Sequence, residues 1–387
     1  MPVKNQPPDA PGEGRMPQSA EAVQPRRLRR LLGRMIDIYS PSGKEGDILA
    51  FIYGYLKRRG LPVQRQEVDE NRFNLLVLPA VVAPRLVMLG HVDTVPAYDL
   101  DHFASVEADG RIRGLGAADM KSGCAAMIEA FVAFLAKSGE MPPAALALVV
   151  GEEEDGDGAA RLIRDHHFPW AIIGEPTDLT PCLSHSGYLE LQVRTRGKRR
   201  HASLSSRHEN AVAAMLNAIL AMTRYLEEAQ PDIVYNIRDL FSARAGFVVP
   251  ERCEAWLDLH LPPSAAIAEV AADLEAVFCD SGGNCKGGER DFRITTIDAG
   301  YTLPNKGAVA ETLAAILAAR GLPSEPRVFR SHSDANQIWA AGIKPILLGP
   351  GRLEQAHVPE ESVSFQKVCR AAGIYYDILL AAASGRW

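Results

Sequence analysis

Histidine and acidic side chains follow several apolar segments of this 387-residue chain. They are His91, Asp93, Asp119, the three consecutive glutamates at 152–154, Glu175 and His357. Imidazole and carboxylate groups together are typical zinc ligands, and the chain has more of them than one tetrahedral ion needs. The pattern therefore predicts two metal ions that share a carboxylate, and it leaves one carboxylate free to act as a general base.

Each of these residues comes just after a short apolar run, and the runs alternate with helical patterns. RLVMLG, LALVVG and AIIG precede His91, Glu152 and Glu175, and a GPG turn lies between the last apolar run and His357. Nearly continuous apolar strands that alternate with helices indicate a parallel sheet buried on both faces. Ligands bind at the carboxyl ends of the strands in such sheets. The predicted fold class is α/β, with a mostly parallel sheet covered by helices.

A different pattern begins near residue 184. GYLELQVRTRG alternates apolar and polar residues, as a half-exposed strand does. The later segments predict a β-α-β-β-α-β order, with a helix at 210–229, strands at 244–249 and 253–261, a helix at 264–279 and a strand at 291–297. We therefore predict a ferredoxin-like lid domain at 185–301, inserted into a catalytic domain formed by residues 26–184 and 302–387.

The composition excludes several classes of protein. A net charge of −6 gives no general attraction to nucleic acid or to an anionic membrane, and no apolar run is long enough to span a bilayer. Residues 1–25 are rich in Pro, Gly and Gln and lack the apolar stretch of a secretory signal, so they predict a disordered tail. The six cysteines have no metal-binding spacing and are expected to be reduced thiols, which favours a cytoplasmic location.

Five motifs resemble, in order and spacing, the M20 family of zinc peptidases and deacylases. They are GHVDTVP, GLGAADMKSG, GEEE, IIGEPTD and AHVPEE. The family includes acetylornithine deacetylase, succinyl-diaminopimelate desuccinylase, aminoacylase-1 and glutamate carboxypeptidase, and the resemblance covers about residues 27–387. It implies a catalytic domain with an inserted lid, two Zn²⁺ ions per chain with Co²⁺ as an alternative, and a homodimer formed through the lid.

The resemblance also implies which residues bind the metals. Asp119 would bridge both ions. His91 and Glu175 would complete one site, and Glu154 and His357 would complete the other.

The remaining roles implied by the resemblance belong to residues beside the metals. Asp93 would orient the ring of His91, and His201 of the lid would stabilise the oxyanion, commonly across the dimer. The consecutive glutamates allow two registers, because in the family an acidic or other short residue precedes the base and the ligand. Glu152 fills that leading position, so Glu153 is predicted as the general base and Glu154 as the ligand. The alternative register makes Glu152 the base and Glu153 the ligand.

The chain departs from the common family pattern in the regions that would contact the substrate. A frequent Asp-x-Arg strand motif reads Asp258-Leu-His260 here. The segment before the helix near residue 333 corresponds to a turn that usually lies near the substrate. It predicts Arg330, His332 and Asn336 as substrate-binding residues; a set of helix N-cap residues is the other interpretation, and the two are compatible.

The motifs leave the substrate open. The first hypothesis is an amidohydrolase that cleaves an N-acyl amino acid, as acetylornithine deacetylase does, and the second is a dipeptidase or carboxypeptidase. The segments HLPPS and GPGRLEQAHVPEE also resemble hydrolases that release lysine or ornithine from an acidic carrier protein, which the basic lid stretch at 194–200 would suit. A solvated strand and turn is the preferred explanation of that stretch. A binding protein without catalysis is the remaining hypothesis, and the complete ligand set argues against it.

Overall fold

The computed structural model describes residues 22–79, 83–206, 209–242, 246–281 and 289–387. Residues 1–21 of the predicted tail lie outside these ranges. The predicted end of the tail at residue 25 is wrong, because Ala22 and Val23 are buried in the core and the Gln24 amide donates to Glu129 Oε1 at 2.7 Å. Helix α1 then begins at Pro25, whose missing N–H is tolerated in the first helical turn.

Helices and strands alternate along the chain before the lid. The helices are α1 (Pro25–Ile36), α2 (Gly46–Arg58), α3 (Lys121–Ser138) and α4 (Asp157–Asp165). The strands are β1 (Val63–Glu67), β2 (Phe73–Val77), β3 (Leu86–His91), β4 (Val106–Ala108), β5 (Arg111–Arg113), β6 (Ala145–Val149), β7 (Trp170–Ile173) and β8 (Cys182–His185).

The lid has its own sheet and its own hydrophobic core. Its elements are β9 (Gly187–Arg196), α5 (Ala211–Ala229), β10 (Val234–Ser242), β11 (Arg252–Leu261), α6 (Ile267–Asp280) and β12 (Arg290–Asp298). The sheet has the antiparallel order β10-β11-β9-β12. Alternate residues of β9 and β11 are buried beneath α5 and α6, as expected for a sheet with one covered face.

After the lid the chain returns to the larger unit. The elements are β13 (Tyr301–Thr302), α7 (Ala308–Ala319), β14 (Arg327–Phe329), α8 (Asp334–Ala340), β15 (Lys344–Leu347), β16 (Ser362–Ser364) and α9 (Phe365–Ala383). No helix in the described ranges is long and apolar enough to cross a membrane.

The central sheet has the order β1-β2-β6-β3-β7-β15-β8-β13, with β14 paired to β8. Its middle strands β6, β3, β7 and β15 are parallel neighbours, and antiparallel pairs flank them. Every residue of β3 and β6 is buried, as expected for strands covered on both faces. The predicted α/β class is therefore confirmed.

Right-handed crossovers explain how both faces of this sheet are covered. The chain passes from β3 to β6 through α3 and from β6 to β7 through α4, and β6 and β7 flank β3 on opposite sides. Because such crossovers are right-handed, α3 and α4 lie on opposite faces. Helix α9 packs against α3, and α8 packs against α4. The carboxyl ends of β6, β3 and β7 consequently meet at one edge of the sheet.

Two features of the strands and one cysteine differ from the sequence-based predictions. The lid strand expected at 244–249 is instead β10, an edge strand that is exposed on both faces and so lacks an alternating pattern. A small sheet of β16, β5 and β4 was not predicted, since strands this short carry no periodic signal. Cys279 is disulfide-bonded, contrary to the expectation of reduced thiols, whereas Cys124, Cys182, Cys253 and Cys369 are free.

The start of α8 holds both chain segments that connect the two units. Asn336 Nδ2 donates to the carbonyls of Ser186 and Ala299, each at 3.1 Å. His185, on the first connection, donates from Nδ1 to Ser186 O and accepts at Nε2 from Ser333 Oγ at 2.9 Å. These contacts tie the lid connections to the larger unit beside the carboxyl edge of its sheet.

Candidate active site

The predicted metal ligands meet at the carboxyl edge of the central sheet. His91 is the last residue of β3, the glutamates at 152–154 follow β6, and Glu175 follows β7. Because these strands are parallel neighbours, they bring their following residues to one place. Asp119 arrives from the loop before α3, and His357 from the loop between β15 and β16.

Three groups of histidine and carboxylate residues in the described part of the chain could each hold a metal ion. In each group the ligand atoms lie within 4.8 Å of one another. The first group is His91, Asp119 and Glu175; the second is Asp119, Glu153 and His357; the third is His91, Glu152 and Glu153. Asp119 belongs to the first two groups, which is the arrangement that a bridging ligand requires.

Several polar atoms at this edge are buried without a hydrogen-bond partner among the described residues. Among them are His91 Nε2, Asp119 Oδ1 and Glu175 Oε1, which all belong to the first group. An unpaired buried carboxylate or imidazole is costly, and a bound cation removes that cost. The donor set of imidazole and carboxylate therefore fits divalent metal ions at this place.

His91 is held with one ring nitrogen toward the metal groups. Its Nδ1 lies 3.1 Å from Asp93 O and 3.5 Å from Asp93 Oδ1, while Nε2 faces Asp119 Oδ1 at 3.4 Å. Asp93 is itself fixed, since its Oδ2 accepts from Ser42 Oγ at 2.7 Å and from Glu153 N at 3.0 Å. Asp93 thus contacts the Nδ1 side of the imidazole, and its role in orienting the ring stays a prediction.

The three consecutive glutamates have different surroundings. Glu153 Oε2 lies 3.0 Å from His357 Nε2, and Glu152 Oε2 lies 3.7 Å from His91 Nε2. Glu154 is exposed and belongs to none of the three ligand groups. The geometry therefore corrects the predicted register by one residue: Glu153, and not Glu154, stands in the ligand position beside His357.

A tight turn explains the corrected register. Gly151 has a φ of 75°, and its carbonyl accepts from the amides of Glu154 and Gly156 at 3.4 and 2.7 Å. The turn closes directly after β6, so it directs the first two glutamates inward and the third outward. The Glu153 amide bound to Asp93 fixes this arrangement. A sequence pattern of three identical residues contains no sign of where such a turn closes.

His357 lies at the exposed rim of the site. Its backbone has a φ of 58°, and its Nε2 lies 3.7 Å from Asp119 Oδ2. The preceding GPG segment packs tightly against the Asp119 loop, since a Cβ on Gly351 would lie 2.2 Å from Ala118 O. Only glycine permits this approach, which explains why the turn precedes the histidine.

Burial and crowding of negative charge shift the pKa values of the site. Burial raises the pKa of Glu152 well above its usual range, and the charges of Glu175 and Glu153 add to this effect. Burial also raises the pKa of Glu175, with Asp119 contributing. The hydrogen bond to Glu153 raises the pKa of His357 to about 9. Carboxylates this crowded are expected where cations would balance them.

The other predicted site residues lie outside the three ligand groups. His201 is exposed in the lid, where its Nδ1 contacts Ser203 Oγ at 2.8 Å, and it belongs to none of the ligand groups. His332 lies 3.0 Å from Asp298 Oδ2 at the end of β12. Arg330 is exposed and lines a cavity of about 520 Å³.

The contacts of Asn336 disfavour its predicted substrate role. Its side chain is buried, and both amide hydrogens are donated to the backbone carbonyls of the lid connections. Its Oδ1 accepts from Ser333 N at 3.3 Å in a capping box at the start of α8. Both donors of Asn336 are thus used within the fold and its side chain is buried, so the structure favours the helix-cap interpretation over a substrate contact.

Two supporting residues were not identified from the sequence. Ser42 binds Asp93, and Glu361 accepts hydrogen bonds from three backbone amides of the Asp119 loop. Glu361 is the last residue of the motif AHVPEE, but nothing in the sequence indicates that its side chain contacts residues 116–119. Ser42 lies far from the other motifs in the chain and carried no signal.

Comparison with known proteins agrees with this geometry. A family model described as peptidase family M20/M25/M40 matches residues 87–381. The chain is 28% identical over 336 residues to an acetylornithine deacetylase of Edwardsiella ictaluri, an alignment that covers 82% of this chain and 86% of the relative.

Solved structures of similar fold cover nearly the whole chain. A tripeptidase from Staphylococcus aureus superposes with a TM-score of 0.79 at 20% identity and covers 94% of this chain and 100% of its own. A Bacillus subtilis protein described as a dinuclear metal-binding peptidase superposes with a TM-score of 0.66 at 12% identity, covering 92% of this chain and 97% of its own.

Proposed function

Because the chain belongs to peptidase family M20/M25/M40 and is a metal-dependent hydrolase of amide bonds, we propose that it cleaves the amide bond of an N-acyl amino acid. The observation that carries this proposal is the pair of ligand groups joined at Asp119, with Glu152 beside them and outside both. The acetylornithine deacetylase relative supports this substrate class.

We assign the two metal positions to the first two ligand groups, and we propose zinc as the metal. His91 and Glu175 would hold one ion, Glu153 and His357 the other, and Asp119 both. When bound, the pair of ions would polarise the amide carbonyl and lower the pKa of the attacking water. Mixed imidazole and carboxylate donors support zinc, although cobalt has similar preferences.

Glu152 is the residue we assign as general base, in place of Glu153. It is buried beside His91, and burial raises the pKa of its carboxyl group. A raised pKa brings a carboxylate closer to the working pH of a proton-transfer group. Glu152 would accept a proton from the attacking water and then donate it to the leaving nitrogen.

We further propose that a second copy of the chain contributes His201. His201 is exposed on its own lid, where β10 and α5 also present exposed apolar side chains. These are Leu216, Leu220, Val234, Ile237, Leu240 and Phe241. A surface of this kind supports a lid-mediated homodimer, in which the imidazole would reach the carbonyl oxygen in the partner's site.

Arg330 is the side chain we propose for binding the substrate carboxylate. It makes no ion pair among the described residues, and it lines its cavity together with Arg327 and Arg352. Arg352 lies 3.4 Å from Glu354, so Arg330 and Arg327 are the cationic groups of this cavity without a carboxylate partner in the described ranges. An unpaired guanidinium is well suited to bind a carboxylate in bidentate geometry.

The acidic carrier protein remains an alternative substrate, but the lid stretch gives it little support. Arg194, Arg199 and Arg200 each pair with an acidic residue of the lid itself, at 2.9, 3.5 and 2.7 Å. The charge available to an acidic partner is correspondingly reduced. A dipeptidase or carboxypeptidase activity is the other alternative, and it would use the same metal groups and the same base.

The test is a substrate panel combined with metal removal. Chelation should abolish amine release from N-acyl amino acids, and zinc or cobalt should restore it. Dipeptides in the same assay separate the deacylase from the peptidase. Full activity in metal-free protein, or release from dipeptides alone, would contradict the proposal.

A further inference from the structure

Glu361 is a buried carboxylate that lies outside the metal-ligand groups. Its side chain is held by the loop that carries Asp119: Oε2 accepts from Gly116 N at 2.9 Å, and Oε1 accepts from Ala118 N at 2.7 Å and Asp119 N at 3.0 Å. Glu361 therefore anchors this loop through its backbone.

The backbone of Glu361 joins the same two segments. Its carbonyl accepts from Gly114 N at 3.0 Å, and the next residue, Ser362, pairs with Arg113 where β16 meets β5. Glu361 lies four residues after His357 and bonds to the amide of Asp119 itself. Glu361 thus joins the loop that carries Asp119 to the loop that carries His357, close to both ligands.

The two metal groups differ in what holds their ligands in place. His91 and Glu175 follow neighbouring parallel strands, where the β3–β7 ladder and the Gly174 N to Leu89 O bond at 3.1 Å fix their spacing. Asp119 and His357 both lie on loops outside that ladder. The spacing of the second pair, 3.7 Å between His357 Nε2 and Asp119 Oδ2, consequently depends on contacts between the loops.

We propose that Glu361 is a positioning residue that sets the spacing of Asp119 and His357, and so controls metal affinity at the second group more than at the first. The proposal rests on the two-metal centre proposed above. Supporting groups around metal ligands change affinity by about 10–100-fold when they are removed. Glu361→Gln should have this effect because it replaces one of the two accepting oxygens by an NH₂ group. That NH₂ group is a donor and cannot accept from the backbone N–H that it would face.

The matched variants are Glu361→Gln and Glu360→Gln, because Glu360 is adjacent and exposed. Zinc affinity is measured by competition with a chromophoric chelator. We expect Glu361→Gln to bind the second equivalent about 10–100-fold more weakly and the first nearly as in the wild type, and we expect Glu360→Gln to bind both normally. Unchanged binding of both equivalents, or equal weakening of both, would overturn the proposal.

A measurement on the wild-type chain covers the case in which Glu361→Gln does not fold. In metal-free protein, the amides of Gly116, Ala118 and Asp119 should stay protected from hydrogen exchange, because Glu361 holds them without metal. Rapid exchange that zinc suppresses would show that the metal orders the loop, and would overturn the proposal. This result is independent of the proposed function, which fails instead if the wild-type protein binds no metal.

Discussion

At the scale of single residues, neighbouring glutamates with the same side chain are expected to do different chemistry. Glu152 is buried against His91, Glu153 contacts His357, and Glu154 is exposed. The side chains are identical, so any difference in the effect of their substitution must come from position. A series of glutamine variants therefore tests the corrected register directly.

We expect Glu152→Gln to lower kcat by about 10²–10⁴-fold while both metals stay bound, because the amide cannot carry the proton. Glu153→Gln should instead lose metal at the second group, and Glu154→Gln should retain both metals and nearly full activity. Metal content and kcat are measured on all three variants. The original register would be restored if Glu154→Gln lost metal and Glu153→Gln kept it.

At the scale of elements, the start of α8 holds the chain segments that connect the central sheet to the lid. The segment Ser184–Gly187 connects β8 of the central sheet to β9 of the lid, and His185 within it is buried. Its ring stacks on Tyr301 with an interplanar angle of 14°. Burial lowers the pKa of His185 to about 3, so the ring is neutral in the folded protein.

His185 gives a prediction for stability against pH. Its folded-state pKa lies below the ordinary value of 6.5, so the unfolded chain gains a proton first as the pH falls. The contribution of the neutral His185 ring to the free energy of unfolding is therefore fully present above pH 6.5 and is lost as the pH falls toward 3. At pH 5 the loss from this group is about 2 kcal/mol.

Denaturant unfolding of His185→Phe and the wild type at pH 7.5 and pH 5 measures this effect. Phenylalanine keeps the stacking but does not titrate, so the free-energy difference between the two proteins should shrink by about 2 kcal/mol at pH 5. The exposed His167, changed to Phe, is the control and should show no such change. A constant difference for His185→Phe would contradict the assigned neutral ring.

At the scale of the whole molecule, the position of His201 makes subunit mixing informative. If each site combines its own metal centre with the partner's His201, a mixture of Glu152→Gln and His201→Ala chains forms heterodimers with one intact site. Equal mixing should then restore about a quarter of the wild-type activity, because half of the dimers carry one good site of two. No recovery would mean that His201 acts within its own chain or not at all.

The control for this mixture uses a chain with both substitutions. Glu152→Gln mixed with the Glu152→Gln and His201→Ala double variant contains no intact base, so it should remain inactive. Co-expression of the two chains avoids the need for slow subunit exchange. Activity in the control would show that the base assignment, and not the dimer, is wrong.

Most of the fold could be predicted from the sequence because its helices and strands have clear local patterns of apolar residues. Apolar strands alternating with helices predicted the parallel centre of the sheet, and an amphipathic pattern predicted the helix at 210–229, which the structure has as α5 at Ala211–Ala229. Edge strand β10 and the short strands β4, β5 and β16 were missed, since exposure or brevity removes the periodic signal. The backbone partners of Asn336, Ser186 and Ala299, could not be predicted because they lie far away along the chain.

By itself the sequence determined which side chains could hold metal, because ligand chemistry depends on residue type and on position after a strand. It named His91, Asp119, Glu175 and His357, and these four meet at one edge of the sheet. Only the tertiary structure decided which glutamate completes the second group, because a turn at Gly151 selects Glu153 through contacts with Asp93 and His357. Glu361 likewise required the fold, since it acts on backbone amides more than 240 residues earlier in the chain.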